Sequence, residues 1–167
     1  MDSEGGRTIF KYLGDKFQKL LTLPPEEADS FAIVGFNKDN TKIYILDCRN
    51  SDTDSLRELN SDTGETKVIV NEQKADLSIM TVSPIEKNIQ VVRVNYTMPK
   101  DIIIDNSIKG DINFLKRLNK DAFNILSRTT DDKLWLVYYY SDTIPGEYYL
   151  YDRSKKQLSF CLRVDLI

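Results

Sequence analysis

The chain of 167 residues contains no histidine. Histidine is the usual base that activates a serine or cysteine nucleophile, and it is a common zinc ligand. None of the seven glycines frames a GxSxG elbow, a Walker loop or a GxGxxG motif. A complete serine-hydrolase triad therefore cannot exist within this chain. We expect no catalytic, cofactor-binding or metal-binding residue, no cofactor, and no enzymatic activity of the chain alone.

Low cysteine content, the absence of long apolar runs and the slightly acidic net charge disfavour several other classes of protein. The two cysteines, Cys48 and Cys161, have no CxxC spacing, so we expect buried thiols in strands and no disulfide framework or zinc site. No apolar run approaches the roughly 18 residues of a membrane helix, and MDSEGGRTIF lacks the pattern of a signal peptide. A net charge of −3 leaves no basic footprint for nucleic acid. We expect a soluble, cytoplasmic protein, unless a leader is missing.

The most informative stretch is Asp131–Leu162. Hydrophobic residues at 41% and charged residues at 29% are typical of a globular chain, and here they are arranged as three strands. The apolar and aromatic run Leu134–Tyr140 is typical of a strand covered on both faces. The polar turn Ser141–Gly146 follows it, and two further strands come next, at Glu147–Tyr151 and Gln157–Leu162, joined by the charged turn Asp152–Lys156.

The same order of strands and turns occurs earlier in the chain. Equivalent turns begin at Ser51, Asn95 and Ser141, which are 44 and 46 residues apart. A four-strand unit recurring at roughly 40–50 residues is the period of propeller blades. The sequence predicts an all-β fold, a partial β-propeller of about three and a half four-stranded antiparallel blades in a single domain 1–167. These are a half blade at 7–23 and blades at 31–70, 77–105 and 123–162.

One short helical insertion interrupts the pattern at 111–122. Ile112, Leu115 and Leu118 have the spacing of an apolar helix face, and Asp111 fits an N-cap or a first-turn position. The helix is interpreted as an insertion packed on the propeller rim, with a partner-binding helix as the alternative. Because closed propellers have about four to eight blades, three and a half leave exposed edges. We expect self-association through those edges or a missing companion segment.

The blade motifs resemble a known family. The run from Asp131 to Arg153, with Ser141-Asp142-Thr143, Pro145-Gly146 and Tyr148-Tyr149-Leu150-Tyr151-Asp152, resembles the propeller of the prolyl oligopeptidase-like (S9) serine peptidases. The branch it resembles is that of the acylaminoacyl-peptidases and dipeptidyl-aminopeptidase-like enzymes. The earlier segment GFNKDNTKIYILDCRNSDTDSLRELNSDTGETK is similar to the same family's GFSPDGKTLY-type blade with its DTG turn. The resemblance covers most of residues 31–162.

The resemblance implies a non-catalytic role. In that family a propeller lies over an α/β-hydrolase domain that carries the Ser-Asp-His triad, and the propeller restricts access to short peptides. This sequence ends at Leu162–Ile167, about where the linker into the hydrolase domain would begin, and no position matches a catalytic residue. The resemblance therefore implies a hydrolase domain or a companion propeller segment as partner, and peptide substrates only through the parent enzyme.

Three functions stay open at this point. The chain is the propeller part of a peptidase that gates peptide access, a free-standing protein-interaction module using blade edges or the 111–122 helix, or an enzyme with an unrecognised site. The missing histidines disfavour the third. An adjacent reading frame with a GxSxG motif would favour the first.

Some local features have a structural and a functional interpretation. Turn polarity explains Asn50, Asp52 and Asp54 better than calcium binding, because the glycine and terminal glutamate of an EF-hand loop are absent. Glu26 and Glu27, which follow a Pro-Pro connector, fit a solvated loop better than a site for a substrate's amino terminus. Trp135 is predicted to anchor the core between blades. Cross-strand packing explains the tyrosines without a stacked ligand, these being Tyr138, Tyr139, Tyr140, Tyr148, Tyr149 and Tyr151.

Overall fold

Thirteen strands make up most of the described chain. The computed structural model describes residues 5–97, 99–118, 122–141, 143 and 145–164. The elements, in chain order, are β1 (Arg7–Tyr12), β2 (Phe17–Leu23), α1 (Pro25–Ala28), β3 (Ala32–Phe36), β4 (Lys42–Asp47), β5 (Ser55–Asn60), β6 (Thr66–Val70), β7 (Leu77–Val82), β8 (Ile89–Asn95), β9 (Pro99–Ile103), a 3₁₀ turn (Asn106–Ile108), α2 (Lys109–Lys116), β10 (Ala122–Arg128), β11 (Leu134–Tyr140), β12 (Glu147–Asp152) and β13 (Gln157–Arg163).

These strands form a hairpin and three sheets whose strand order follows the sequence. The hairpin is β1-β2, the first sheet is β3-β4-β5-β6, the second is β7-β8-β9 and the third is β10-β11-β12-β13. Strand pairing in the hairpin, the first sheet and the third sheet is antiparallel throughout. A four-stranded antiparallel meander is the topology of a propeller blade. The predicted fold class, all-β with blade-like antiparallel sheets and a short helical insertion, is confirmed.

The three repeat-marking turns occupy the same place in their sheets. The turns that begin after Asp47, Asn95 and Tyr140 each connect the second strand of a sheet with its third strand. The described part of the second sheet has three strands, and the chain then continues into the 3₁₀ turn and α2. Asp142 and Ile144, in the last of these turns, lie outside the described residues.

By its internal contacts the chain divides into two compact units, Met1–Ser78 with Val94–Lys100, and Ile79–Arg93 with Asp101–Ile167. In the first unit, apolar side chains from the hairpin, α1 and the first sheet form one core. Its buried members are Leu23, Ala28, Phe31, Ile43, Ile45 and Leu59. This core exists because β4 places its alternate residues Ile43 and Ile45 on one face of the sheet, where Leu59 of β5 pairs with Ile43.

The second unit has a larger, aromatic core. It is built from one face of the third sheet together with α2 and Val91 of β8, and its buried members are Val91, Ile108, Ile112, Leu115, Phe123, Trp135, Val137, Tyr139 and Tyr151. Trp135 is fully buried, as predicted for a core anchor. Its ring meets Tyr151 edge-on with centroids 5.6 Å apart, and Phe114 of α2 stacks on Tyr151 at 5.5 Å. Such aromatic pairs contribute more than their buried area alone.

The helix differs from the one expected over 111–122. It runs over Lys109–Lys116 and follows a 3₁₀ turn whose start is capped by Asp105, which accepts from the Ser107 amide at 2.9 Å. Ile112 and Leu115 are buried, but Leu118 is 40% exposed and lies beyond the helix. The sequence pattern places the C-terminal end of the helix too late, because Ala122, inside the expected range, pairs with Tyr140 in the third sheet. Residues 119–121 lie outside the described residues.

Two further segments correct the sequence interpretation. The Pro24–Glu27 connector, expected as a loop, enters a single helical turn, α1, because Pro25 occupies the first helical turn and two acidic residues follow it there. The expected buried thiols are also not found. Cys48 is half-buried and lies just after β4, and Cys161 is exposed on β13, which is an edge strand.

Gly64 allows us to test the β5–β6 turn. Its φ is +76°, and a Cβ at this position would clash with the carbonyl of Leu20. Gly14 also has a positive φ, of +89°, but a Cβ there would meet no atom within 4 Å. We expect Gly64→Ala to lower the free energy of unfolding by about 3 kcal/mol, because strain and the clash add, and Gly14→Ala to lower it by about 1 kcal/mol. Denaturant unfolding followed by circular dichroism measures both, and equal losses would contradict the close approach.

Candidate functional site

The densest polar cluster of the second unit is centred on Asp132. This residue lies in the β10–β11 turn with a φ of +59°, a conformation that aspartate tolerates better than most residues. Its buried carboxylate accepts from Arg128 Nε at 2.6 Å, from Trp135 Nε1 at 2.7 Å and from Arg153. The β10–β11 turn therefore places one carboxylate against two guanidinium groups and the indole N–H.

A second carboxylate completes the cluster. Asp111, in the first turn of α2, accepts from Tyr151 Oη at 2.7 Å, from Arg153 Nη2 at 2.8 Å and from Lys156. Burial alone would raise the pKa of Asp111, but these donors outweigh it and hold the pKa below its usual range. Burial, reinforced by the hydrogen bond to Asp111, raises the pKa of Tyr151. The Asp111 carboxylate therefore stays anionic and the Tyr151 hydroxyl stays neutral at neutral pH.

Arg153 joins the two carboxylates into one network. It contacts both Asp111 and Asp132, and its guanidinium lies over the Trp135 ring at 4.8 Å. Arg128 lies over the same ring at 4.5 Å. The network forms part of the wall of a shallow cleft of about 430 Å³. The residues that line this cleft are Ser107, Asp111, Asp131, Asp132, Lys133, Arg153, Ser154 and Lys156.

The chemistry of this cleft is that of a structural network. The Asp111 and Asp132 carboxylates are each engaged by at least two cationic side chains, so neither is poised as a base. Ser154 Oγ donates to Asp152 Oδ1 at 2.6 Å and has no histidine to activate it, since the sequence has none. The arrangement ties α2 and the turns of the third sheet together.

A second buried cation lies at β8. Arg93 is 7% exposed and donates to Asp101 Oδ1 at 2.7 Å, to Asn124 Oδ1 at 2.7 Å and to the Phe123 carbonyl at 3.0 Å. Lys116 of α2 reaches the same aspartate at 3.0 Å. Arg93 thereby links β8, β9 and β10. No sequence pattern pointed to this residue, because an arginine inside a strand usually faces water.

The tyrosines expected to pack do so on both faces of the third sheet. Tyr139 and Tyr151 are buried, and burial raises the pKa of each. On the opposite face Tyr138 lies 4.6 Å from its cross-strand neighbour Tyr148 and 5.7 Å from Tyr140, measured between ring centroids. That face is only half-buried.

The polar turn residues that were weighed as calcium ligands, Asn50, Asp52 and Asp54, lie in the first unit. Asn50 adopts a left-handed φ of +59°, Asp52 is exposed, and the amide of Asp54 donates to Asp76 Oδ1 at 2.9 Å. One carboxylate oxygen of Asp54, Oδ1, is buried without a hydrogen-bond partner. Within the described residues no group of three or more cysteine, aspartate or glutamate side chains is arranged to hold a metal ion. Glu26 and Glu27 lie in α1.

Comparison with known proteins supports a relation to peptidases. No family model matches the chain. It is 27% identical over 157 residues to dipeptidyl aminopeptidase BIII of Pseudoxanthomonas mexicana. The aligned segment covers 93% of this chain and 23% of that protein. It is 25% identical over 126 residues to dipeptidyl peptidase family member 6 of Caenorhabditis elegans, covering 74% of this chain and 17% of that protein. The chain is thus similar to two dipeptidyl peptidases and spans less than a quarter of the length of each.

Two further observations concern structure alone. The chain superimposes on TolB from Acinetobacter baumannii over 88% of its own length and 35% of that chain, with a TM-score of 0.45 and 12% identity. That likeness is too distant to assign a function. In the described part of the chain, no helix is long and apolar enough to span a membrane.

The network makes Asp132 a sensitive position. We expect Asp132→Asn, which keeps the shape and tolerates the positive φ, to lower the free energy of unfolding by about 3 kcal/mol, because it removes the anion paired with the buried Arg128 side chain and the partly buried Arg153 side chain. The neighbouring Asp131→Asn removes an exposed charge and should change stability by less than about 0.5 kcal/mol. Fluorescence of Trp135, the single tryptophan, follows unfolding of this unit. Equal effects of the two variants would show that the network is not needed for stability.

Asp54 predicts a specific pH dependence. Burial, and then the negative charge of Asp76, raise the pKa of Asp54 above its ordinary value of 3.8. The folded state therefore binds this proton more tightly than the unfolded state, so the stabilisation is complete below pH 3.8 and is lost as the pH rises through the raised pKa. We expect Asp54→Asn to abolish that loss and to be more stable than the wild type at neutral pH. Unfolding free energies of the two proteins across this range test it, and the exposed Asp52→Asn should follow the wild type.

Proposed function

We propose that this chain is the propeller portion of a prolyl oligopeptidase-like serine peptidase. In this proposal it contributes no catalytic residue, and it gates or filters peptide access to a hydrolase domain supplied outside the sequence described here. The observation that carries the proposal is the alignment of 93% of the chain with dipeptidyl aminopeptidase BIII. The blade-like order of strands in the first and third sheets supports the assignment to a propeller.

The chemistry of the described residues is consistent with a scaffold role. A serine nucleophile of this class needs a base, and the sequence has no histidine to provide one. The best-connected acidic groups, Asp111 and Asp132, are held in ion pairs. The partners proposed are accordingly the hydrolase domain or a companion propeller segment, with peptides as substrates of the complete enzyme only. The proposed compartment, the cytoplasm, rests on the sequence alone.

The alternative function is a free-standing protein-interaction module. It is favoured by the exposed apolar side chains at the C-terminal edge, where Phe160 is 59% exposed and Leu162 50% exposed on strand β13. Helix α2 is a weaker candidate for the contact, because its apolar residues Ile112 and Leu115 are fully buried in the core of the second unit.

Peptidase assays of the purified chain, alone and mixed with a hydrolase encoded by an adjacent reading frame, test the proposal. We expect the chain alone to release no product from a chromogenic dipeptide substrate, because it lacks a base for a nucleophile. Mixed with a GxSxG-containing polypeptide encoded beside it, the chain should co-sediment with that polypeptide. It should leave cleavage of the short substrate unchanged and slow cleavage of a long unfolded polypeptide, since gating acts by size.

Three outcomes decide between the functions. Turnover by the chain alone, abolished by substituting one of its own residues, would contradict the non-catalytic assignment. Binding without any size-dependent effect would favour the interaction module over gating. Binding that is lost in Phe160→Lys but retained in Lys109→Glu would place the contact at the edge strand and not at α2.

A further inference from the structure

We draw no further inference here: the strongest candidate, the pair of carboxylates of Asp54 and Asp76 beside the Ser30 hydroxyl in the connecting segments of the first unit, is an acidic cluster to which no second observation in the described residues assigns a ligand, since neither Ser30 nor Asp54 is fully buried.

Discussion

The contact between Arg153 and two carboxylates is the constraint on which the second unit depends. Asp111 comes from α2, Asp132 from the β10–β11 turn, and Arg153 from the end of β12, so three separate segments meet at one guanidinium group. Because these charges are largely removed from water, each must be paired, and loss of one partner leaves the others without compensation. The network thereby fixes the position of the helix on the sheet.

The same network explains why the aromatic core holds together. Trp135 is fully buried, and its indole N–H requires a partner inside the protein, which Asp132 supplies at 2.7 Å. Tyr151 has the same requirement, and Asp111 accepts its hydroxyl hydrogen. Trp135 and Tyr151, which contribute apolar area to the core, are therefore also members of the charge network. Polar and apolar packing are linked in this unit.

The scaffold has consequences for function. Its most highly connected ionisable groups, Asp111, Asp132 and Arg153, hold helix α2 and the turns of the third sheet together. The proposed function, the gating of peptide access to a hydrolase domain, needs no reactive group from this buried network.

The sequence by itself determined the strands and their order. Turn residues at regular spacing, such as Ser51, Asn95 and Ser141, mark the second connection of each sheet because local backbone preferences act over only a few residues. The sequence also determined that no histidine-dependent chemistry can occur within the chain. It could not determine the end of α2, since the pairing of Ala122 with Tyr140 competes with helix formation across 18 residues of chain. Only the tertiary structure decided the partners of Asp111, Asp132 and Arg93, and which face of β11 stays open, because these depend on contacts between segments distant in sequence.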